Sequence, residues 1–266
     1  MPPDDRPAIL FLSKGAAAAS TRHRALAFFP ALQAKGFRPI HLSVRGGLSH
    51  EVQLLRAVRQ ADVTVVLRRT FNGPFRAALR RLARRLVFDF DDAIYRRPDG
   101  ESAGRMRGFR AMVRRSDEVW AGNPWLGKMA SEAGPDTSVQ ILPTVLSTPR
   151  YRVRLVEHRD LRKLVWIGSS STRPYLDAIL PELEAAADRV SGLSLRIVAD
   201  FTLASDRLAI ENVEWSPDTE ATQLATAGLG LAPVPDDAWT RGKCGFKLLQ
   251  YMAAGLPTIC NPVGAN

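Results

Sequence analysis

Short aliphatic and β-branched runs alternate with segments of helical periodicity from one end of the chain to the other. In the first half the runs fall at residues 9–13, 39–44, 63–67, 86–90, 118–121 and 139–142. Continuous apolar runs of this length, separated by helical segments, predict parallel strands buried on both faces and covered by helices. A charged, proline-containing stretch at 147–162 interrupts the alternation and reads as a linker. The pattern restarts at 164–168 and continues at 194–199, 213–215, 229–233 and 257–260. The expected fold class is α/β, with two tandem Rossmann-like domains spanning residues 1–149 and 150–266.

If both domains wind in the order 3-2-1-4-5-6, ligands bind where the loops after strands 1 and 4 flank a crevice. Those loops are 14–21 and 91–97 in the first domain, and 169–172 and 234–243 in the second. Nearly every unusual polar cluster lies in or beside one of the four. Two such crevices facing each other across a linker would form an interdomain active site.

Composition narrows the partners. The 266 residues carry 37 Lys and Arg against 27 Asp and Glu, a formal charge of +10, which calls for an anionic partner. Arg76, Arg80, Arg81, Arg84 and Arg85 alternate with Leu79, Leu82 and Ala83 at helical spacing. This pattern reads either as a solvated helix with one core-facing stripe or as a surface for acidic lipid, at about 1 kcal/mol per basic residue. Nucleic acid is the weaker expectation, because no helix-turn-helix, zinc-finger or RRM pattern accompanies the charge. No run of about 20 apolar residues is present to span a bilayer, and the N-terminus lacks the pattern of a secretory signal. The expectation is a cytoplasmic protein, peripheral on the inner membrane face if the lipid reading holds. Cys244 and Cys260 give no metal-ligand spacing and no expected disulfide, and Cys260 reads as core.

The second crevice opens with Gly168 and Ser169, whose small size lets the backbone approach a ligand, while Ser171 or Thr172 reads as a cap for the helix containing Pro174. A further helix begins near Cys244 or Gly245. Its first backbone N–H groups, with Arg241 and Lys243, would hold a diphosphate. Along it Lys247, Gln250, Tyr251 and Ala254 share one face, and Phe246, Leu249 and Ala253 share another, which is assigned to the core. In the first domain Asp91 and Asp92 end strand 4, and Arg22 and Arg24 follow the strand 1 loop. One aspartate would position or deprotonate an acceptor hydroxyl, and the other would pair with Arg22 or Arg24. Structural pairing of both is the alternative.

The run from Lys247 to Gly264 resembles the donor-site segment of GT-B glycosyltransferases of the group 1, family 4-like class. Lys247 and the Tyr251 to Pro257 run match that pattern, whereas Gln250 stands where the family's ribose-binding glutamate is usual. A second family glutamate, eight residues earlier, falls on Gly242. The first half resembles the N-terminal domain of the same enzymes at residues 20–24, 87–95, 116–126 and 141–145. The resemblance implies a metal-independent, cofactor-free transferase that moves a sugar from a nucleoside diphosphate sugar to the hydroxyl of a sugar or lipid-linked acceptor. It implies retention of anomeric configuration and a place in cell-surface polysaccharide or glycolipid synthesis. Gly168, Ser169, Arg241, Lys243, Lys247 and Gln250 would bind the donor; Asp91 and Asp92 would be catalytic; Arg22 and Arg24 would bind the acceptor. Against that family the second domain is expected to lack its last strand and helices. The competing expectation is an inactive fragment, or a non-catalytic remnant that binds nucleotide or acidic lipid.

Overall fold

The computed structural model describes residues 5–151 and 159–266. The chain divides into two compact units, one comprising Met1–Val145 with Arg241–Cys244, the other Leu146–Thr240 with Gly245–Asn266. The boundary therefore falls four residues before the expected 149/150, and a short piece of the expected second domain packs with the first unit. Most of the predicted linker, residues 152–158, lies outside the described residues.

In unit 1 the order is β1 (Ala8–Ser13), α1 (Ala19–Arg24), α2 (Phe29–Ala34), β2 (Arg38–Ser43), α3 (Leu48–Gln60), β3 (Val63–Leu67), α4 (Gly73–Leu82), β4 (Leu86–Phe90), α5 (Ala103–Val113), β5 (Glu118–Ala121), α6 (Pro124–Ala133) and β6 (Ser138–Ile141). The six strands form one parallel sheet ordered β2-β1-β3-β4-β5-β6. The expected order, 3-2-1-4-5-6, does not hold here, because β3 rather than β4 lies beside β1. Burial explains the placement. β3 and β4 are almost wholly buried and take the centre, while the half-buried β2, which contains Pro39, takes an edge. Proline cannot donate to the ladder and is tolerated at an edge. Phe11, Val65, Leu67 and Val87 pack together on one face, and Phe88, Phe90, Tyr95 and Phe109 stack near β4.

Unit 2 contains α7 (Thr148–Tyr151), β7 (Asp160–Ile167), α8 (Arg173–Asp177), α9 (Leu180–Ala187), β8 (Ser194–Ala199), β9 (Ala209–Glu214), α10 (Glu220–Ala225), β10 (Ala227–Ala232), α11 (Phe246–Ala253) and β11 (Thr258–Cys260). Its parallel sheet runs β11-β10-β7-β8-β9. Counted within the unit this is 3-2-1-4-5, as expected. Successive residues of β7 enter opposite layers: Leu164 and Trp166 pack with Leu195, Ile197 and Leu231, whereas Val165 and Ile167 pack with Val198, Leu248 and Tyr251. That is the period-2 alternation of a strand covered on both faces.

Three expectations about faces need correction. On α11 the buried residues are Leu248, Gln250 and Tyr251, while Phe246, Leu249 and Ala253 are only half-buried. Tyr251 sets this rotation, because its hydroxyl donates to the Leu231 carbonyl at 3.0 Å and accepts from the Ile167 amide at 3.2 Å. Cys260 is exposed, since β11 is the edge strand and not core. The arginine-rich helix ends at Leu82, so Arg84 and Arg85 lie beyond it. Arg80, Arg84 and Arg85 pair with Asp117, Asp62 and Glu118, each at 2.6 Å, and Arg76 donates to the carbonyls of Thr70 and Phe71. Much of the positive charge read as a lipid surface is matched within the unit. Among the described residues no helix is long and apolar enough to cross a membrane.

Candidate functional site

In unit 1 the polar cluster gathers at the C-terminal ends of the central strands, where ligands of parallel sheets bind. Asp89, buried within β4, receives two hydrogen bonds of 2.7 Å from Arg24 Nε and Nη2, and Arg24 Nη1 donates to Thr144 Oγ1 at 3.1 Å. Both side chains are 2% exposed. Burial pushes the Asp89 carboxyl up to about 6, opposed by the Arg24 guanidinium. Arg24 is therefore a structural residue, sealed in a bidentate ion pair, and the expectation that it binds an acceptor is corrected. Arg22 lies half-buried on the same short helix.

The partner of the paired aspartates is one that sequence reasoning missed. Arg68 Nη2 donates to Asp92 Oδ2 at 2.9 Å, and Arg68 Nη1 lies 3.4 Å from Asp91 Oδ1. Arg24 is committed to Asp89 instead. Arg68 follows β3 with φ of 55°, and Phe71 in the same loop has φ of 47°. A left-handed non-glycine residue costs about 1–2 kcal/mol, so the surrounding packing holds this loop in place. The sheet order supplies the reason: with β3 beside β1, the loop after β3 flanks the switch point. Asp91 is raised above the ordinary carboxylate range by burial, which Arg68 and Arg24 partly oppose. Asp92 also accepts from the Ala93 amide at 3.0 Å.

Residues Arg241–Cys244 complete this unit. Asn123 caps α6 by accepting from the Leu126 amide at 2.8 Å, while its Nδ2 donates to the carbonyls of Arg241 at 3.3 Å and Lys243 at 2.9 Å. The Arg241 guanidinium lies over the Trp125 ring, 5.3 Å from its centroid. A Cβ on Gly242 would sit 2.8 Å from Ala93 Cβ and 3.2 Å from the Ala93 nitrogen. No glutamate fits there without displacing backbone. Burial, together with nearby Asp91, pushes the Cys244 thiol up to about 12, so it is not an activated nucleophile.

In unit 2 the switch point lies between β7 and β10. Gly168 follows β7, and any side chain there would collide with the Trp166 ring, so its small size serves packing as well as access. The Ser169 amide donates to Thr172 Oγ1 at 3.3 Å, and that hydroxyl donates back to the Ser169 carbonyl at 3.1 Å. Thr172 thus braces the loop. It occupies the N-cap position of α8 without a side-chain cap bond, contrary to the capping expectation. Ser170 is anchored to Asp200, at the end of β8, through its amide at 2.6 Å and its hydroxyl at 3.2 Å.

Beyond β10, Gly245 adopts φ of 59° and starts α11, within a residue of the expected point. Lys247 extends from its first turn. Its Nζ lies 3.4 Å from Thr172 Oγ1 and 4.9 Å from the Trp166 ring centroid. Gln250, one turn on, is 4% exposed and hydrogen-bonded to buried partners. The structure thus brings together Gly168, Ser169 and Lys247 at one switch point, with Gln250 one helical turn away.

No known protein-family model matches the chain, and no curated protein matches it in sequence. Solved structures do match. Sucrose-phosphate synthase from Thermosynechococcus elongatus superposes with a TM-score of 0.68 at 13% identity, covering 97% of this chain and 82% of its own. WaaG, a glycosyltransferase involved in lipopolysaccharide biosynthesis, gives 0.66 at 16% identity, with 97% and 82% covered. Anabaena HepE, solved in complex with UDP, gives 0.63 at 13% identity, with 97% and 81% covered. With its two parallel sheets of six and five strands, the chain has the fold of the GT-B glycosyltransferases.

Proposed function

We propose that the chain is a glycosyltransferase that moves a sugar from a nucleoside diphosphate sugar, a UDP-sugar in the first instance, to an acceptor hydroxyl. The observation carrying this reading is the approach of Lys247, on the helix after β10, to within 3.4 Å of Thr172 in the loop after β7. It sets a cation beside small, hydroxyl-bearing residues at the switch point, the position and chemistry that suit a diphosphate. Three of the structural neighbours were solved with UDP.

In this proposal Gly168, Ser169, Lys247 and Gln250 hold the donor, and Arg241 and Lys243, in the loop between β10 and α11, supply further cations for the diphosphate. As the bond from the anomeric carbon to the diphosphate breaks, these cations stabilise the departing charge, and the acceptor oxygen forms the new bond to that carbon. Asp91 takes the acceptor's proton: its buried, upward-shifted carboxyl is better matched to neutral pH than an ordinary one. Arg68 and Asp92 orient it, and Arg22 serves the acceptor. Retention of configuration, a sugar or lipid-linked acceptor, and a role in polysaccharide or glycolipid synthesis rest on the sequence resemblance alone. Action at a membrane surface rests on the spacing of the arginines between residues 76 and 85, three of which are ion-paired within unit 1.

The test is release of UDP from a panel of UDP-sugars, with GDP-mannose as comparison. At least one UDP-sugar is expected to be turned over, and Lys247→Ala to lower the rate at least tenfold. A folded protein that releases nucleotide from none of them would overturn the proposal.

A further inference from the structure

The uncompensated charge of unit 1 lies beside the arginine-rich segment rather than on it. Within residues 76–85, Arg81 is the one arginine that has no ion pair or side-chain hydrogen bond among the described residues. The helix α3 packs beside α4. Its Leu54 and Val58 turn to the core, while Leu48, 79% exposed, and Val52, 42% exposed, turn to solvent. Leu48, Val52, Leu55 and Arg59 recur at i, i+4, i+7 and i+11, so they share one stripe about 16 Å long. Arg56, four residues after Val52, and Arg45, just before the helix, flank it. Arg45, Arg56 and Arg59 are exposed, and among the described residues no side-chain hydrogen bond or ion pair engages any of them. The carboxylate of this helix, Glu51, is half-buried in its first turn.

The chemistry of the stripe selects its occupant. A nucleic acid would neutralise the arginines but leave Leu48 and Val52 in water, and the stripe offers no aromatic side chain on which a base could stack. A stable protein interface needs about 800 Å² from each partner, far more than two aliphatic side chains supply. An acidic bilayer meets both demands at once. Aliphatic side chains enter the acyl boundary, while guanidinium groups on long apolar stems stay with the headgroup phosphates. We infer that the outer stripe of α3 docks unit 1 on a bilayer bearing acidic phospholipids, with Leu48 and Val52 inserted and Arg45, Arg56 and Arg59 on the headgroups. The inference rests on the membrane-surface part of the function proposed above, whose contact it moves from α4 to α3, and is independent of the donor site.

The test is co-sedimentation of the full chain with vesicles of phosphatidylcholine alone, and of phosphatidylcholine and phosphatidylglycerol in equal parts. The native chain should bind the acidic vesicles about tenfold or more tightly than the neutral ones. Arg56→Glu and Leu48→Ser should each weaken that binding about fivefold or more. Both sites are exposed, so both variants should keep the native melting temperature and the native affinity for UDP. Arg189→Glu and Leu161→Ser, exposed changes of the same kind in unit 2, should bind vesicles as the native chain does. A native chain that ignores acidic vesicles overturns the inference, as do α3 variants that bind normally or unit 2 controls that lose as much. Loss in Arg56→Glu without loss in Leu48→Ser overturns it too, because charge without insertion then accounts for the binding. A native chain that takes up no UDP yet binds vesicles through α3 overturns the donor reading and leaves this inference standing.

Discussion

Replacing Arg24 by methionine separates a structural ion pair from an acceptor ligand. Methionine keeps most of the apolar stem and removes the guanidinium, leaving Asp89 buried in β4 without its two 2.7 Å hydrogen bonds. Breaking a buried pair from one side costs about 3–5 kcal/mol, because the remaining charge is uncompensated. Adding Asp89→Asn removes that charge, and the loss should fall to about 1–3 kcal/mol. Acidity supplies an independent check. The native Asp89 carboxyl sits at about 6, and without Arg24 it moves higher, against about 3.9 in the unfolded chain. Over that interval the folded state binds more protons than the unfolded one, so stability rises as pH falls, by up to about 1.4 kcal/mol per unit. The native protein enters this regime only near pH 6, the variant already at pH 7, so the penalty should shrink by about 1 kcal/mol between pH 7 and 6. Urea denaturation at both pH values, followed by tryptophan fluorescence, measures it. A penalty under about 1 kcal/mol, or one indifferent to pH, would refute the reasoning.

Three other outcomes are expected. Arg68→Ala removes the cation that holds the Asp91 carboxyl down, so the acid limb of the rate profile should move to higher pH; an unmoved limb would argue against Asp91 as the base. Gln250→Glu, which restores the family's usual residue but sets a second carboxylate beside the buried Glu220, should destabilise the chain by about 2–5 kcal/mol at pH 7 rather than improve it, and Glu220→Gln in the same chain should recover much of that loss in thermal melts. Cys260, exposed on the edge strand, should react with a thiol reagent at pH 8 far faster than Cys244, whose thiol is held up to about 12; mass spectrometry that finds Cys244 modified first would contradict the burial described.

Several strands were legible in the sequence to the residue. β3, β4, β5 and β8 were predicted to the residue, although β4, β5 and β8 each carry one charged residue, Asp89, Glu118 or Arg196. β7 was read four residues short, since its first turn of strand, Asp160 to Arg162, is exposed and charged. β9 was also read four residues short, since it is an edge strand whose burial is incomplete. The order of the first sheet was not legible: local periodicity says nothing about which neighbour a crossover reaches, and the role of Arg68 depended on that order. Asp89 did leave a signal. A carboxylate inside the run Leu86–Phe90 must find a partner when that strand is buried, although nothing local names Arg24, 65 residues earlier. On α11 both faces carry enough apolar residues to be core, and only the seat of the Tyr251 hydroxyl between Leu231 and Ile167 decides which one is. Gly168, Ser169 and Lys247 fall beside the second unit's switch point, where loop chemistry and the expected strand order placed them.

Calorimetric titration of the native chain with UDP, alongside Lys247→Ala, bears most directly on the nucleotide-sugar reading. Saturable binding to a single site, weakened at least tenfold in the variant while its melting temperature is unchanged, is the predicted result. A folded native chain that takes up no UDP, or a Lys247→Ala chain that binds it equally well, would contradict it.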